Sequence, residues 1–248
     1  MPLPTYLLHL GDDALVLGHR NSEWCGHGPV LEQDIALTNI ALDLIGQARL
    51  FYQYAATVLG DGVTEDSLAY LRDVYEYRNC LLVEQPNGDW AHTTLRQFFF
   101  SAYQYELYKA MKTSTDEQLS AIGTRSLKEV TYHLRWSGEW VVRLGDGTEE
   151  SRARLLKALE TLWMYTGELF RPAPYEEVLV EAGVAVAVDS LEGSWMEHVR
   201  RVLGQAGLTV PLAPAFQAGG KTGAHSEHLG YVLAEMQFMQ RAYPGSTW

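Results

Sequence analysis

Residues 30–60 read VLEQDIALTNIALDLIGQARLFYQYAATVLG, and this stretch decides the fold of the chain. Between Asp34 and Arg49 the only ionisable side chain belongs to Asp43. When the stretch is projected at about 100° per residue, apolar or small side chains surround the axis, which is typical of a helix buried on every side. At the rise of an α-helix, the run would span roughly 45 Å. We therefore predict a long buried helix inside a helical bundle.

Two residues of this stretch, Asp43 and Gly46, allow predictions about their surroundings. An isolated buried carboxylate costs several kcal/mol, so Asp43 is expected to be hydrogen-bonded, ion-paired, protonated or bound to a metal. Gly46 follows almost one turn later, at a helix-propensity cost of about 1 kcal/mol relative to alanine. That glycine predicts the close approach of a neighbouring helix.

Turn and capping signals divide the rest of the chain into further predicted helices. Pro86-Asn87-Gly88 is typical of a turn, residues 115–118 have the spacing of a capping box, and residues 145–150 combine a glycine stop with an acidic helix start. Residues 178–188 fit either a helix end or a short extended segment. No repeat, low-complexity tract or linker is visible, so we predict one all-α domain over residues 1–248. The predicted helices are 4–25, 30–60, 64–84, 89–113, 116–145, 149–170, 190–206 and 226–243.

Composition excludes several functional classes. The chain has 31 acidic and 19 basic side chains, a formal net charge of −12, which argues against binding to nucleic acid. Its two cysteines are too few for a disulfide scaffold, so a reducing cytoplasm is expected. The N-terminus lacks the basic region of a secretory signal. The longest uncharged run, residues 202–220, contains two prolines and four glycines and is typical of a loop, so no association with a membrane is expected.

A helical bundle with inward carboxylates is the architecture of di-iron proteins, which carry Glu-x-x-His motifs on two helices. Positions i and i+3 share a helix face, so one helix can offer an oxygen and an imidazole to the same metal pair. None of the eight histidines here is preceded by glutamate three residues earlier. This absence argues against an ordinary di-iron site in the chain.

Two segments come close to the motif. Glu76 is followed by Asn79 where histidine would stand, and Glu129 is followed by Tyr132 at i+3 and His133 at i+4. An i, i+4 glutamate–histidine pair inside or beside a core is a simpler interpretation of the second segment than a metal site. The aromatic residues that continue this helix face would also crowd a metal.

Other candidate motifs favour structural roles. Asp89, three residues before His92, is typical of a helix N-cap. Cys25 lies near His27 without the strand–turn–helix context of a nucleophile. His225 and His228 are interpreted as a polar start of the last helix rather than as metal ligands.

Several distinctive segments are spread over essentially the whole chain. They are SEWCGHGPVLE at 22–32, Asp34–Leu37, NIALDLIGQAR at 39–49, NCLLVEQPNG at 79–88, Lys128–Glu129, Tyr132–Arg135, Glu227–Gly230 and Leu233–Gln237. Together these segments resemble one family, the PaaC-type structural subunits of phenylacetyl-CoA epoxidases, the ring 1,2-epoxidases of phenylacetate degradation.

The resemblance implies a ferritin-like helical bundle with additional flanking helices. It also implies a role in bacterial aerobic phenylacetate catabolism, beside a homologous catalytic subunit whose di-iron centre epoxidises the ring of phenylacetyl-CoA with O₂. A flavin and iron–sulfur reductase supplies electrons from NADPH, and a small bridging subunit links the parts. The PaaC-type subunit itself is structural, without catalytic residues, metal or cofactor of its own, and stabilises its catalytic partner.

Within this family, the chain is expected to keep relics of a lost di-iron site as buried hydrogen-bond and ion-pair networks. A fourth helix should contribute a further position, for which we select Glu106. The other expected relic positions are Asp43, Glu76, Asn79, Glu129, Tyr132 and His133.

Two alternatives stay open at this point. The chain could be a di-iron oxygenase in its own right, with an atypical ligand set drawn from Asp43, Glu76, Glu129 and His133. It could instead be a stand-alone bundle that binds a ligand such as a CoA ester, against which the charge of −12 argues mildly. The isolated chain is also a candidate for homodimerisation.

Arginine outnumbers lysine by 14 to 5, and arginine tolerates protein interfaces better than lysine does. Five arginines lie in otherwise apolar predicted helices, and we expect them to pair with the relic carboxylates. A role in a protein interface is the second interpretation. These five are Arg49, Arg72, Arg78, Arg96 and Arg135.

Overall fold

The computed structural model describes residues 1–246, which form helices and turns without any β-strand. The predicted all-α class is therefore confirmed. Contacts divide the chain into two compact units: the first comprises residues 1–86 and the segment from residue 219, and the second comprises residues 87–218. The assignment of residues 1–248 to a single ferritin-like domain stays a prediction. Within the described residues, no helix is long and apolar enough to cross a bilayer.

The first unit is built on an antiparallel pair of long helices, α1 (Pro2–Ser22) and α2 (Leu31–Leu59). Small residues let the two backbones approach closely. A Cβ on Gly18 would lie 3.3 Å from the carbonyl oxygen of Ala41, and one on Gly11 would meet the ring of Tyr52. The shorter helices of this unit are α3 (Glu65–Tyr70), α4 (Leu81–Glu84), α10 (Glu227–Met236) and α11 (Phe238–Ala242).

The continuous helix predicted over 64–84 is wrong. It breaks into α3, a 3₁₀ turn at Val74–Glu76, and α4. The physical reason lies in α1, because the backbone N–H of Arg78 donates to the Asp12 carboxylate and that of Cys80 to Asp13, both at 2.7 Å. These N–H groups bond to buried carboxylates instead of helical carbonyls, so the backbone between the helices stays unwound.

The helix predicted over 226–243 is interrupted in a similar way at Gln237. The buried amide of this side chain donates to the backbone carbonyls of Ala69 and Arg72, at 3.2 and 3.0 Å. The side chain thereby ties the junction of α10 and α11 to the end of α3.

The second unit is built on a second antiparallel pair, α5 (Trp90–Met111) and α6 (Glu117–Gly145). Gly123 approaches Met111 near the connection, and Gly138 approaches Phe98 further along. The remaining helices of this unit are α7 (Glu149–Leu162), a 3₁₀ helix at Trp163–Phe170, α8 (Pro174–Glu181), a 3₁₀ turn at Val188–Leu191 and α9 (Glu192–Gln205).

An aromatic cluster forms the core of the second unit. Trp195 of α9 is fully buried, its indole N–H donates to the carbonyl of Phe99 at 2.9 Å, and its ring lies 5.1 Å from that of Phe170. Packing of this kind stabilises a helical core and also satisfies the indole donor. The ambiguous stretch 178–188 is a helix end, closed by Gly183 at φ 71°.

The long helices α1, α2, α5 and α6 supply the antiparallel pairs that a ferritin-like bundle requires, two helices in each unit. The shorter helices flank these pairs within their own units. The predicted fold class is thus confirmed, and it places the acidic side chains of α1 and α5 inside helical cores.

Candidate functional site

The predicted relic positions of the first unit do not lie where the motif argument places them. Asp43 is half-buried on α2, and Glu76 is exposed at the end of a 3₁₀ turn, where its carboxylate accepts the N–H of Asp73 at 2.7 Å. Asn79 is buried in the unwound segment, and its amide donates to Glu84 at 2.9 Å. Glu76 and Asn79 therefore do not share a helix face, because the chain around them is not helical.

The expected relic positions of the second unit also differ from one another in burial. On α6, His133 is fully buried, Glu129 is half-buried and Tyr132 is exposed. On α5, Glu106 is buried and accepts a hydrogen bond from His198 of α9, with its Oε1 3.0 Å from Nε2. Glu106 thus has an imidazole partner that the motif search did not identify, and Lys109 donates to its other oxygen at 3.3 Å.

Metal-binding geometry is absent from the part of the chain that the structure describes. Nowhere in residues 1–246 do three histidine, cysteine, aspartate or glutamate side chains lie close enough together to hold a metal ion. A di-iron centre needs several carboxylates and imidazoles that converge on one point. The donor set of the described residues does not fit such a centre.

The strongest polar cluster of the first unit surrounds Asp12 of α1. The fully buried carboxylate accepts hydrogen bonds from the Tyr52 hydroxyl at 2.5 Å, Arg72 Nη1 at 3.0 Å and the Arg78 backbone N–H at 2.7 Å. The guanidinium of Arg72 also stacks 4.2 Å from the centre of the Tyr77 ring. Asp12 thereby joins α1, α2 and the unwound segment.

Protonation in this cluster follows from burial and charge. Burial and the neighbouring Asp12 carboxylate raise the pKa of Tyr52 well above its ordinary value, so the phenol stays a neutral donor. Burial acts to lower the pKa of Arg72, but the Asp12 carboxylate raises it above the ordinary value. The site therefore pairs the buried guanidinium of Arg72 and the hydroxyl donor of Tyr52 with the Asp12 carboxylate.

A second cluster surrounds Glu84. Its carboxylate accepts hydrogen bonds from Asn79 at 2.9 Å and from the Ser226 backbone N–H at 2.6 Å, and it lies 2.9 Å from His225 Nδ1. The other ring nitrogen of His225 lies 3.0 Å from the carbonyl oxygen of Tyr77. Both ring nitrogens face oxygen atoms, an arrangement that the doubly protonated imidazolium satisfies with two N–H donors.

This geometry predicts a pH dependence of stability. Burial acts to lower the pKa of His225, but Glu84, with smaller contributions from the Tyr77 carbonyl and Asp12, raises it above the ordinary 6.5. Because the folded chain then binds this proton more tightly than the unfolded chain, the stabilisation is complete below about pH 6.5 and is lost as the pH rises through the raised pKa.

Urea unfolding of the wild type and of His225→Gln at several pH values tests whether the stabilisation by His225 depends on pH. The difference in free energy of unfolding between the two proteins should be largest near pH 6 and should shrink towards about pH 9. His27→Gln is the matched control, because His27 is exposed and its contact is to a neighbouring backbone carbonyl. A difference that is constant with pH would contradict the charged state of His225.

Sequence reasoning did not identify the carboxylates at the centre of the two clusters, Asp12 and Glu84. A signal for the first was present, because Asp12 and Asp13 interrupt an otherwise apolar N-terminal run. The other structural interpretations agree with the structure. Asp89 caps α5 by accepting the N–H of His92, and His27 faces the carbonyl of Cys25 rather than its thiol.

The arginine prediction is wrong in its choice of partners. Arg49 pairs with Glu65 and Arg72 with Asp12, neither of which is a predicted relic position. Arg78 donates to backbone carbonyls, and Arg96 donates to the Asn87 side chain. Arg135 is exposed and stacks on the Tyr132 ring at 5.7 Å. The unwound segment at 71–80 explains part of this, because it brings Arg72 and Arg78 to α1 and to local carbonyls.

The prediction that α2 is buried on every side is also wrong. Leu31, Ile35 and Leu42 are 71%, 52% and 62% exposed, and a Cβ on Gly46 would meet no atom within 4 Å. These four residues recur at helical spacing and form what we call the apolar face of α2. Leu31 and Ile35 lie one helical turn apart, and Leu42 follows about two turns after Ile35.

The whole chain, residues 1–248, matches the family described as phenylacetic acid catabolic protein, PaaA_PaaC. It is also similar to the C component of the 1,2-phenylacetyl-CoA epoxidase of Escherichia coli strain K12. The two sequences are 48% identical over 246 residues, and the alignment covers 99% of each chain.

Proposed function

The chain belongs to the phenylacetic acid catabolic protein family, and on that premise we propose that it is the non-catalytic structural subunit of a phenylacetyl-CoA epoxidase. Its role would be to bind and stabilise a homologous catalytic subunit that holds the di-iron centre. A small bridging subunit would complete the assembly, which we place in the cytoplasm. The chain itself would hold no cofactor.

One observation carries the structural assignment: the fully buried carboxylates of Asp12 and Glu84 are already engaged by protein donors. Asp12 accepts from a hydroxyl, a guanidinium and a backbone N–H, and Glu84 is held by Asn79, His225 and Ser226. To bind a metal, either carboxylate would have to give up charge-assisted hydrogen bonds in a buried site. Such networks support rigid packing rather than ligand exchange.

The apolar face of α2 supports the proposal that the chain binds a second subunit. An apolar side chain left in water forfeits about 25 cal/mol for each Å² that a partner could cover. Leu31, Ile35 and Leu42 offer exposed side chains of this kind along one side of α2 to a helix of a second protein chain. Gly46 leaves space for that helix to come close to the backbone of α2.

Metal analysis and size-exclusion chromatography test the proposal on the chain alone and on its complex with the catalytic subunit. We expect no stoichiometric iron in the chain alone and about two irons per heterodimer in a stable complex. Glu129→Gln in this chain should leave the iron content of the complex unchanged. About two irons in the isolated chain, lost on Glu129→Gln, would instead identify a di-iron oxygenase in its own right.

A further inference from the structure

The arginines of this chain divide by position into those that donate a hydrogen bond within the described residues and those for which no such bond is found. Every arginine outside α6 and α9 donates a hydrogen bond to a carboxylate, an amide oxygen or a backbone carbonyl. These bonded arginines are Arg20, Arg49, Arg72, Arg78, Arg96, Arg152, Arg154, Arg171 and Arg241.

The other five arginines all lie on α6 and α9. Among the described residues, the one carboxylate within 4.0 Å of any of them is Glu139, 3.9 Å from Arg143, and both of those side chains are more than half exposed. A pair that long and that exposed contributes little. Four guanidinium groups on these two helices therefore face no carboxylate in the described chain: those of Arg125, Arg135, Arg200 and Arg201.

Three of the five arginines line one groove between α6 and α9, which we call the α6–α9 groove. Its volume is about 720 Å³, and it is bordered by Arg135, Arg143 and Arg201 together with Glu139, which lies 3.9 Å from Arg143. His198 also lines it and is bonded to Glu106 beneath. Between the cations lies a largely apolar surface formed by Leu134, Gly138, Val142 and Val202, with Tyr105 of α5.

The spacing of the cations indicates the size of an occupant. Arg135 and Arg143 are eight residues apart on α6, which places them about 12 Å apart along the helix axis. A single small anion cannot bridge that distance, whereas acidic side chains about two turns apart on a second helix can. The apolar surface between the cations would receive the apolar side chains of that helix.

We propose that the α6–α9 groove binds an acidic amphipathic helix of the catalytic subunit. Arg135, Arg143 and Arg201 would pair with its carboxylates. This inference rests on the proposed function, and it adds a second contact surface to the apolar face of α2.

A protein helix fits the groove better than a free small ligand does. Small-molecule sites are enclosed and hold a few polar groups in fixed positions, whereas Arg135, Arg143 and Arg201 are exposed side chains along an open groove. Arginine is the basic residue enriched in protein interfaces, where its planar guanidinium pairs with carboxylates. The net charge of −12 also disfavours capture of a free polyanion by this chain alone.

Charge reversal on matched pairs tests the proposal. Arg135→Glu with Arg201→Glu changes the groove, while Arg125→Glu with Arg200→Glu makes the same change in net charge on the same two helices outside it. The groove variant should raise the Kd for the catalytic subunit at least about tenfold and weaken its salt dependence. The control variant should stay within about twofold of wild type, and both should unfold at wild-type temperature.

The outcomes separate this inference from the proposed function. If the wild-type chain forms no complex, both fail. If the complex forms and the two variants bind the catalytic subunit equally, the groove assignment is overturned while the structural role stands. If binding is unchanged but inorganic phosphate or coenzyme A stabilises the wild type and not the groove variant, the groove takes a small anion, and the helix proposal is wrong.

Discussion

Asp12→Ala is expected to lower the free energy of unfolding by about 3–5 kcal/mol, because it leaves the buried guanidinium of Arg72 without its counter-charge. The hydroxyl of Tyr52 and the backbone N–H of Arg78 lose their acceptor at the same time. Urea unfolding at neutral pH, followed by far-UV circular dichroism, measures the loss. The unwound segment should also become more accessible to protease, since Asp12 fixes its backbone.

A double variant that removes both charges and a control variant at the surface show whether the lost stability comes from the unpaired charge of Arg72. Asp12→Leu combined with Arg72→Met removes both charges and should recover most of the stability, because no unpaired charge remains in the core. Arg49→Ala removes an exposed ion pair with Glu65 and should leave the unfolding midpoint within experimental error. If Asp12→Ala proves as mild as Arg49→Ala, the Asp12 cluster does not anchor the first unit.

Leu42→Asp is expected to weaken binding of the catalytic subunit about a hundredfold, or about 2.7 kcal/mol, while leaving the isolated chain folded. Leu42 lies in the centre of the apolar face of α2, and a carboxylate there would be buried without a partner once a second protein chain covers it. Because the side chain is exposed in the isolated chain, its own stability should change little. Isothermal titration calorimetry of the two subunits measures the effect.

Val178→Asp provides the matched control for the interface. Val178 is also an exposed aliphatic residue on a helix, α8, at 57% exposure, and it lies outside the apolar face of α2. Its substitution should leave the Kd within about twofold of wild type. Equal weakening by both variants would show that added negative charge, and not the apolar face, governs binding.

Helix boundaries were predictable wherever the signals are local. The sequence predicts a helix over 116–145 with a capping box at 115–118, and the structure has Glu117–Gly145. The cap is Asp116 rather than Thr115: the Asp116 carboxylate accepts the N–H of Leu119, while the Thr115 hydroxyl donates to the carbonyl of Ala182. The start of α7 is likewise fixed by a capping side chain, the hydroxyl of Thr148. Capping contacts join residues three positions apart, so they can be recognised from spacing alone.

The polar sites were not predictable in the same way. The motif argument assumed that Glu76 and Asn79 sit on one helix face, whereas carboxylates more than 60 residues earlier unwind that segment. It also assumed that an apolar helix is covered on every side, although Leu42 is exposed. Both assumptions concern contacts between residues that are distant in sequence. The periodicity of a single segment gives no information about such contacts.

The sequence by itself therefore determined the all-α class, most of the helix boundaries and membership of the phenylacetic acid catabolic protein family. Only the tertiary structure decided which carboxylates are paired inside the fold and which arginines of α6 and α9 stay exposed without a hydrogen bond to a carboxylate in the described residues. The physical reason is that charge pairing depends on distances of a few ångströms between residues far apart in the chain. The spacing of nearby residues determines where a helix forms, whereas the packing of the folded chain determines which groups each side chain contacts.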